Sequence, residues 1–271
     1  LELEITLKKE SKHIIRGGLI MNGKKLLPWI IPTTLIIIWQ ALSSLSILST
    51  RVLPSPIEIV ISAYDLTFNG KLISDVWISL KRVFWGFIIG GGIGFVFGLM
   101  NGLSKLSESL IDSSIQMIRN IPHLALLPLV ILWFGIEEES KIFLVALGTF
   151  FPIYINTFHG IRNVDSSLVE MAKVYELTGL SLFWNIIFPA SLPSILVGIR
   201  FALGTAWVTL IVAETIAANS GIGYMAMNAR EFMQLDIVLL SIILYALLGK
   251  FSDVIAKIIE KKSLKWNPSY Q

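Results

Sequence analysis

Apolar residues in this chain come in long runs divided by short polar stretches, and several runs approach the roughly 20 residues that a helix needs to cross a bilayer. The pattern predicts six spans, near Leu26 to Leu48, Val83 to Leu103, Ile115 to Phe134, Ile142 to Gly160, Ile195 to Ala217 and Leu235 to Ile258. Pro28 and Pro32 fall near the start of the first, where a missing amide donor costs little, and Trp29 and Trp39 suit a membrane interface. Residues 50 to 80, which open RVLPSP and carry Glu58, Asp65, Lys71 and Asp75, read as an interfacial helix and not as a crossing. Pro122 and Pro128 break the third span, and Pro152 lies inside the fourth. A polar segment, 161–194, separates the fourth from the fifth. It reads as a short helix with Glu170, Ala172 and Lys173, a turn over Glu176 to Gly179, and a second amphipathic helix with Leu182, Phe183 and Trp184 that stops near Pro189 and Pro193. The expected protein is all-α and polytopic, with tails at 1–25 and 261–271 and a membrane domain over 26–260.

Composition removes the soluble alternative. Apolar residues make up 54% and charged residues 15%, with a mean hydropathy of +0.74, against about 25% charged in ordinary soluble domains. The chain has no Cys, which excludes disulfides and thiolate metal sites. Its net charge of +3 sits beside the apolar runs, as suits lipid headgroups, and no nucleic-acid partner is expected. Six crossings put both termini on one side. The positive residues put that side in the cytosol, with Lys8, Lys9, Lys12, Arg16, Lys24, Lys25, Lys105, Arg162, Lys173, Lys261, Lys262 and Lys265 within and only Arg51, Lys71, Lys141 and Arg230 without. Lys81 and Arg82 are an awkward pair at the head of the second span, and Glu137, Glu138 and Glu139 fall outside. The first 20 residues do not read as a signal peptide, and Met21 is the expected natural start.

Gly86, Gly90, Gly94, Gly98 and Gly102 recur at a spacing of four, which on a helix makes one strip where another backbone can come close. Such a strip serves helix packing, or sliding between conformations. Polar groups inside the spans are the other clues, since burying them is unfavourable unless they pair or face water. Arg119, Asn120 and His123 flank Pro122, where a broken helix opens backbone to a cavity, and are candidates for the pathway of an anion. Arg119 alternatively pairs with Asp112 or lies at the cytosolic interface. Glu214, followed by Thr215 and Asn219, repels anions; it pairs with a cation, caps the interruption before SGIG, or acts as a gate. His159 reads as interfacial, with no second ligand near it for a metal.

The 161–194 segment resembles the cytosolic coupling motif of ATP-binding-cassette import permeases, a Glu-Ala-Ala run, a Gly about four residues on, then Ile-x-Leu-Pro. Glu170, Ala172, Ile186 and Pro189 match it. Met171, Phe188 and Glu176 depart from it. Gly at the position of Glu176 would permit a left-handed turn, so Gly179 is expected to carry the turn three residues along. SIQMIRNIPHLALLPLVILWFGI, KIFLVALGTFFPIYINTFHGIRN, TLIVAETIAANSGIGYMAMNAREF, IILYALLGK and KWNP look like aliphatic sulfonate permeases, whose siblings import taurine and nitrate. The likeness runs from about Pro28 onward. It implies a type I importer permease fold of six spans in the bacterial inner membrane, paired with a second copy of itself. It implies two cytosolic nucleotide-binding subunits and an external substrate-binding protein. Glu170, Met171, Ala172, Glu176, Gly179, Ile186 and Pro189 would then meet the ATPase, and ATP and Mg2+ would belong to that partner.

Absent motifs bear on the alternatives. No GxxxxGK[ST], HExxH or nucleophile elbow occurs, so neither ATP binding by this chain nor an intramembrane enzyme is expected. A secondary transporter would show inverted repeats with broken helices in matching halves. A receptor or scaffold would lack the coupling loop. Taurine, nitrate or another small anion remains the alternative cargo.

Overall fold

The computed structural model describes residue 27, residues 30–49 and residues 52–266. The 1–25 tail with Met21, Pro28, Trp29, Arg51 and the end of the chain beyond Trp266 lie outside the described residues. Two compact units divide the chain, Leu1–Ser62 and Ala63–Gln271. The first holds the apolar helix α1 (Ile30–Ser44) and the start of α2 (Pro56–Phe68). Ser55 and Glu58 build a reciprocal capping box at the head of α2: the Ser55 amide donates to Glu58 Oε2 at 2.7 Å, and the Glu58 amide to Ser55 Oγ at 3.2 Å. Pro56 occupies the first helical position, where its lost donor is harmless.

The second unit is built on α3 (Lys71–Leu103), α6 (Glu138–Arg162), α8 (Gly179–Ala217) and α10 (Leu235–Ser263), all long and apolar enough to cross a membrane. Between α3 and α6 lie α4 (Lys105–Arg119) and α5 (His123–Phe134), bent by 80° at Asn120–Pro122. The short helices α7 (Ser166–Val174) and α9 (Ile222–Glu231) complete it. Among the described residues, then, four helices pass as spans, five with the bent pair, and α1 is apolar but short of a full crossing. All regular structure in the described residues is helical.

Contacts fix the directions. Cβ atoms built on Gly86, Gly94, Gly98 and Gly102 would stand 2.5 to 2.9 Å from Val145 Cγ1, Phe150 O, Thr157 Cβ and Ile161 Cβ, and one on Gly90 would overlap Ala146 O. Partner numbers rise together, so α3 and α6 run parallel with backbones nearly touching. Five interior glycines give up roughly 4–5 kcal/mol of helix propensity relative to alanine. Close packing along the whole strip has to return that sum. By contrast α8 runs against α6, since Gly160 abuts Ser194, Gly198 abuts Asn156 and Gly148 abuts Thr209. It also runs against α10, through Arg200 with Glu260, Trp207 with Ser252 and Glu214 with Tyr245. The C-terminal ends of α3, α6 and α10 therefore share one end of the bundle with the start of α8 and with α7, and the bent α4–α5 pair carries the chain back to the opposite end.

Two expectations change. The second span does not begin near Val83: α3 starts at Lys71 and takes in the last ten residues of the supposed interfacial segment. No residue between Gly70, which is left-handed at φ 72, and Ser104 breaks it. Nor does the helix after the elbow stop near Pro189 and Pro193. It runs unbroken from Gly179 to Ala217, because residues Phe183–Ile187 widen into a π-helical turn in which the Phe188 amide reaches back to Phe183 O. That extra residue is absorbed just before Pro189, which has no amide to place.

Candidate functional site

The elbow between α6 and α8 projects from the bundle end that carries Lys105, Arg162, Lys173, Lys261 and Lys262. Asp165 caps α7: its Oδ1 accepts from the Ser167 amide at 2.9 Å. Hydrogen bonds from the Ser167 amide and hydroxyl hold the Asp165 carboxyl below its ordinary range. At the other end of α7 the Glu176 amide donates to Lys173 O at 2.9 Å and the Leu177 amide to Ala172 O at 3.0 Å, the paired bonds of a Schellman motif. Glu176 itself is left-handed at φ 60, and Gly179 is a second left-handed residue at φ 53. The turn thus stays at Glu176 and does not move to Gly179. A left-handed non-glycine costs roughly 1–2 kcal/mol, which the two terminal hydrogen bonds offset.

Ala172 is buried under this turn, while Glu170, Met171 and Glu176 are exposed, and Ile186 and Pro189 are half-buried in the first turns of α8. Met171, Val174 and Tyr175 follow helical spacing along the outer face of α7, and Leu180 and Trp184 are exposed in the first turns of α8. Val174 is 82% exposed and Leu180 77%. Large apolar side chains exposed beside charged ones are the kind of surface that suits docking.

At the opposite end of the bundle sits a buried polar cluster. Glu214 accepts from Ser79 Oγ at 2.8 and 2.9 Å, Arg82 Nη1 at 2.7 Å, the Gly223 amide at 2.8 Å and Tyr245 Oη at 2.8 Å. Arg82 also donates through Nε to Glu138 Oε2 and through Nη1 to Ser220 O, each at 2.7 Å. Its Nη2 pairs with Glu138 Oε1 and donates to Ser220 Oγ. Asp75 Oδ1 accepts from the Gly221 amide, and Ser79 Oγ from the Ile222 amide. The amides of Gly221, Ile222 and Gly223, at the start of α9, are thereby paired with side chains of the cluster, as buried backbone requires. This is where the awkward charge at the head of the second span goes.

The five candidate pathway residues do not form one cluster. Arg119 and Asn120 are exposed at the bend of α4 and α5, and among the described residues Arg119 has no ion pair. Asp112 is instead engaged by Tyr154 Oη at 2.5 Å and Gln116 at 3.2 Å. His123 Nε2 meets Thr209 Oγ1 of α8 at 3.0 Å. Glu214 is wholly enclosed in the cluster above, and Asn219 is exposed in the α8–α9 connection.

One residue without a role in the sequence reading stands out. Arg200, in the middle of α8, bonds Asp253 Oδ1 through Nε at 3.2 Å and Nη2 at 3.1 Å, and Glu260 through Nη1 at 3.2 Å. Lys257 and Lys250 reach the other oxygen of Asp253, at 3.0 and 3.7 Å. A lone Arg inside the apolar stretch GIRFALG was the signal available for it.

Residues 86–265 match the family model described as binding-protein-dependent transport system inner membrane component. A putative aliphatic sulfonates transport permease protein of Escherichia coli (strain K12) is 59% identical over 90% of this chain and 92% of its own length. A protein of the same description from Bacillus subtilis (strain 168) is 46% identical over 92% of each. Among solved structures, a chain of an amino acid ABC transporter superposes with a TM-score of 0.56 at 18% identity, over 74% of this chain and 97% of the other. That likeness establishes the fold. With the family model spanning most of the helical bundle and the elbow, this chain belongs to the family of inner-membrane components of binding-protein-dependent transport systems.

Proposed function

We propose that this chain is the membrane-spanning permease subunit of an ATP-driven importer that carries aliphatic sulfonates into the cell. Two copies form the pathway, two separate ATPase subunits dock on the elbows, and an external binding protein delivers the cargo. ATP and Mg2+ act in the ATPase, and both termini of the permease are cytosolic. The observation that carries the reading is the exposed apolar face of the elbow, at the bundle end richest in Lys and Arg, and the positive-inside rule supports a cytosolic place for that end. Relatives named for aliphatic sulfonates support the cargo. ATP binding would draw the elbows together and tip the pair from inward-facing to outward-facing, the two states differing in their contacts with the motor.

Reconstitution in lipid vesicles with the ATPase and binding protein tests this. Uptake of an alkanesulfonate is expected only with all components and ATP, and in preference to taurine and nitrate. Uptake by the chain alone would instead identify a secondary transporter. Because the native sequence has no Cys, single Cys substitutions over 165–190 are clean topology labels. Labelling of those positions from the external side alone refutes the elbow's role.

A further inference from the structure

Beside Arg200, α8 and α10 frame a groove of about 620 Å3, within the size range of small-ligand sites. Its walls are Val197, Phe201 and Val208, and Gly204 leaves its floor open, with nothing within 4 Å of where a Cβ would stand. Arg200 and Asp253 supply its charged groups. The Arg200 side chain is about one third exposed and lines this space. A charge pair turned toward hydrocarbon is strongly disfavoured, so this face of α8 does not lie against lipid tails. The partner of Arg200, Asp253, stands 18 residues after Leu235 but 10 before Ser263, about 27 and 15 Å along α10, which puts the pair nearer the elbow end of the bundle.

The charges here do not balance. Arg200, Lys250 and Lys257 face Asp253 and Glu260, an excess of one positive charge. Asp253 keeps both lysines if Arg200 lets go of it, and Nη1 can stay on Glu260, whose ion pair among the described residues is with Arg200, so exchanging Asp253 alone leaves no carboxylate stranded. A planar fork of donors matches the oxygens of a tetrahedral anion, and a wall of Val and Phe matches an alkyl chain.

Taking the sulfonate cargo proposed above as given, we propose that this groove is a transit site on the exit side of the pathway. Arg200 takes the sulfonate head in exchange for Asp253. Val197, Phe201 and Val208 carry the alkyl chain, and Asp253 reclaims the guanidinium to expel the anion. Competition from Asp253 keeps the site weak, as a site that must release its cargo requires.

Uptake by the full transporter in vesicles, read as kcat/KM over a series of alkanesulfonates of increasing length, tests the site. Arg200→Gln is expected to lower kcat/KM by about tenfold or more for every length, the loss of one charge-assisted contact. The charge swap, Arg200→Asp with Asp253→Arg, restores one ion pair but sets an Asp beside Glu260 and an Arg beside Lys250 and Lys257 and moves the guanidinium off the groove wall, and is expected to remain as poor as Arg200→Gln. Gly204→Leu fills the open floor and is expected to shift preference toward the shortest sulfonates. Each variant is first checked for insertion and a monodisperse complex; if the arginine variants fail to assemble, the length profile of Gly204→Leu decides. Recovery of uptake in the charge swap shows that Arg200 is structural and overturns the site. Wild-type kcat/KM in Arg200→Gln, or an unchanged length profile in Gly204→Leu, overturns it too. A wild-type transporter that carries no sulfonate overturns the cargo reading and the site together, whereas a working wild type with insensitive variants overturns the site alone.

Discussion

Arg82 and Glu214 lie 132 positions apart and meet at 2.7 Å, with side chains 1% and 0% exposed. The pair is not symmetrical. Arg82 has a second carboxylate in Glu138, but Glu214 has no second cation among its partners; Ser79, Tyr245 and the Gly223 amide are neutral donors. Arg82→Gln therefore strands a buried charge and is expected to cost about 3–5 kcal/mol. Glu214→Gln keeps one acceptor oxygen and leaves Arg82 paired with Glu138, but its NH2 must face Arg82 Nη1 or the Gly223 amide, so it is expected to cost about 1–3 kcal/mol, less than Arg82→Gln. Thermal unfolding of the two variants in detergent checks the order, and equal or reversed losses contradict the asymmetry.

The glycine strip makes a sharper contrast. A Cβ at Gly90 overlaps the Ala146 carbonyl, which as backbone cannot swing aside, whereas a Cβ at Gly92 meets nothing within 4 Å. Gly90→Ala is expected to force α3 and α6 apart at about 1–3 kcal/mol. Gly92→Ala, two residues away on the open face, is expected to gain up to about 1 kcal/mol from helix propensity. Thermal stability of the two variants, measured side by side, decides; similar behaviour would sink the packing account.

Much of this was legible in sequence because it depends on local periodicity. Apolar runs located α3, α6, α8 and α10, a spacing of four located the glycine strip, and Pro122 located the bend between α4 and α5. What sequence could not give was long-range pairing. Nothing local says that Arg82 meets Glu214 and Glu138, or that Arg200 meets Asp253 and Glu260, since each pair spans at least 53 positions. Proline rules misled at Pro189, because they assume an α-helical register, and the π-turn at Phe183–Ile187 changes the register just before it. The turn at Glu176 was misread for a related reason: preference for glycine at a left-handed position is a cost of about 1 kcal/mol, not a prohibition.

That cost can be measured. Glu176 has φ 60 and is exposed, so its side chain contributes no burial to hold the conformation. Glu176→Gly is expected to tighten the α7 turn by about 1 kcal/mol, and Gly179→Ala to loosen it by a similar amount. The Leu177 amide, which donates to Ala172 O, is the reporter: its hydrogen exchange should slow in the first variant and quicken in the second. No change in either would remove the strain argument.

Acid should act on the same elbow through Asp165. Hydrogen bonds from Ser167 depress its pKa in the folded state. Its contribution to the α7 cap is thus full above the unfolded value, about 3.9, and is lost as pH falls through the lower folded value. Asp165→Asn retains a capping side chain and has no proton to gain. Exchange of the first α7 amides, taken as a ratio of wild type to Asp165→Asn so that intrinsic pH effects cancel, should be flat near neutrality and rise only in strong acid. A ratio that changes near neutral pH assigns the transition to some other group.

The elbow's outer face is expected to separate coupling from folding. Met171, Val174 and Tyr175 are exposed and line one face of α7, so Val174→Asp removes no internal contact. In the full transporter it should leave permease stability unchanged yet lower transport per ATP hydrolysed by about tenfold, as loss of one central docking contact does. Ala172→Arg is the opposite case, because Ala172 is 1% exposed beneath the turn and a long side chain there disrupts the elbow itself. Glu170→Lys reverses an exposed charge and should fall with Val174→Asp, weakening the motor's grip without unfolding the helix. Parallel measurement of unfolding temperature, ATP hydrolysis and uptake separates the two classes. If Val174→Asp and Glu170→Lys both transport with normal stoichiometry, force does not enter through this face of α7.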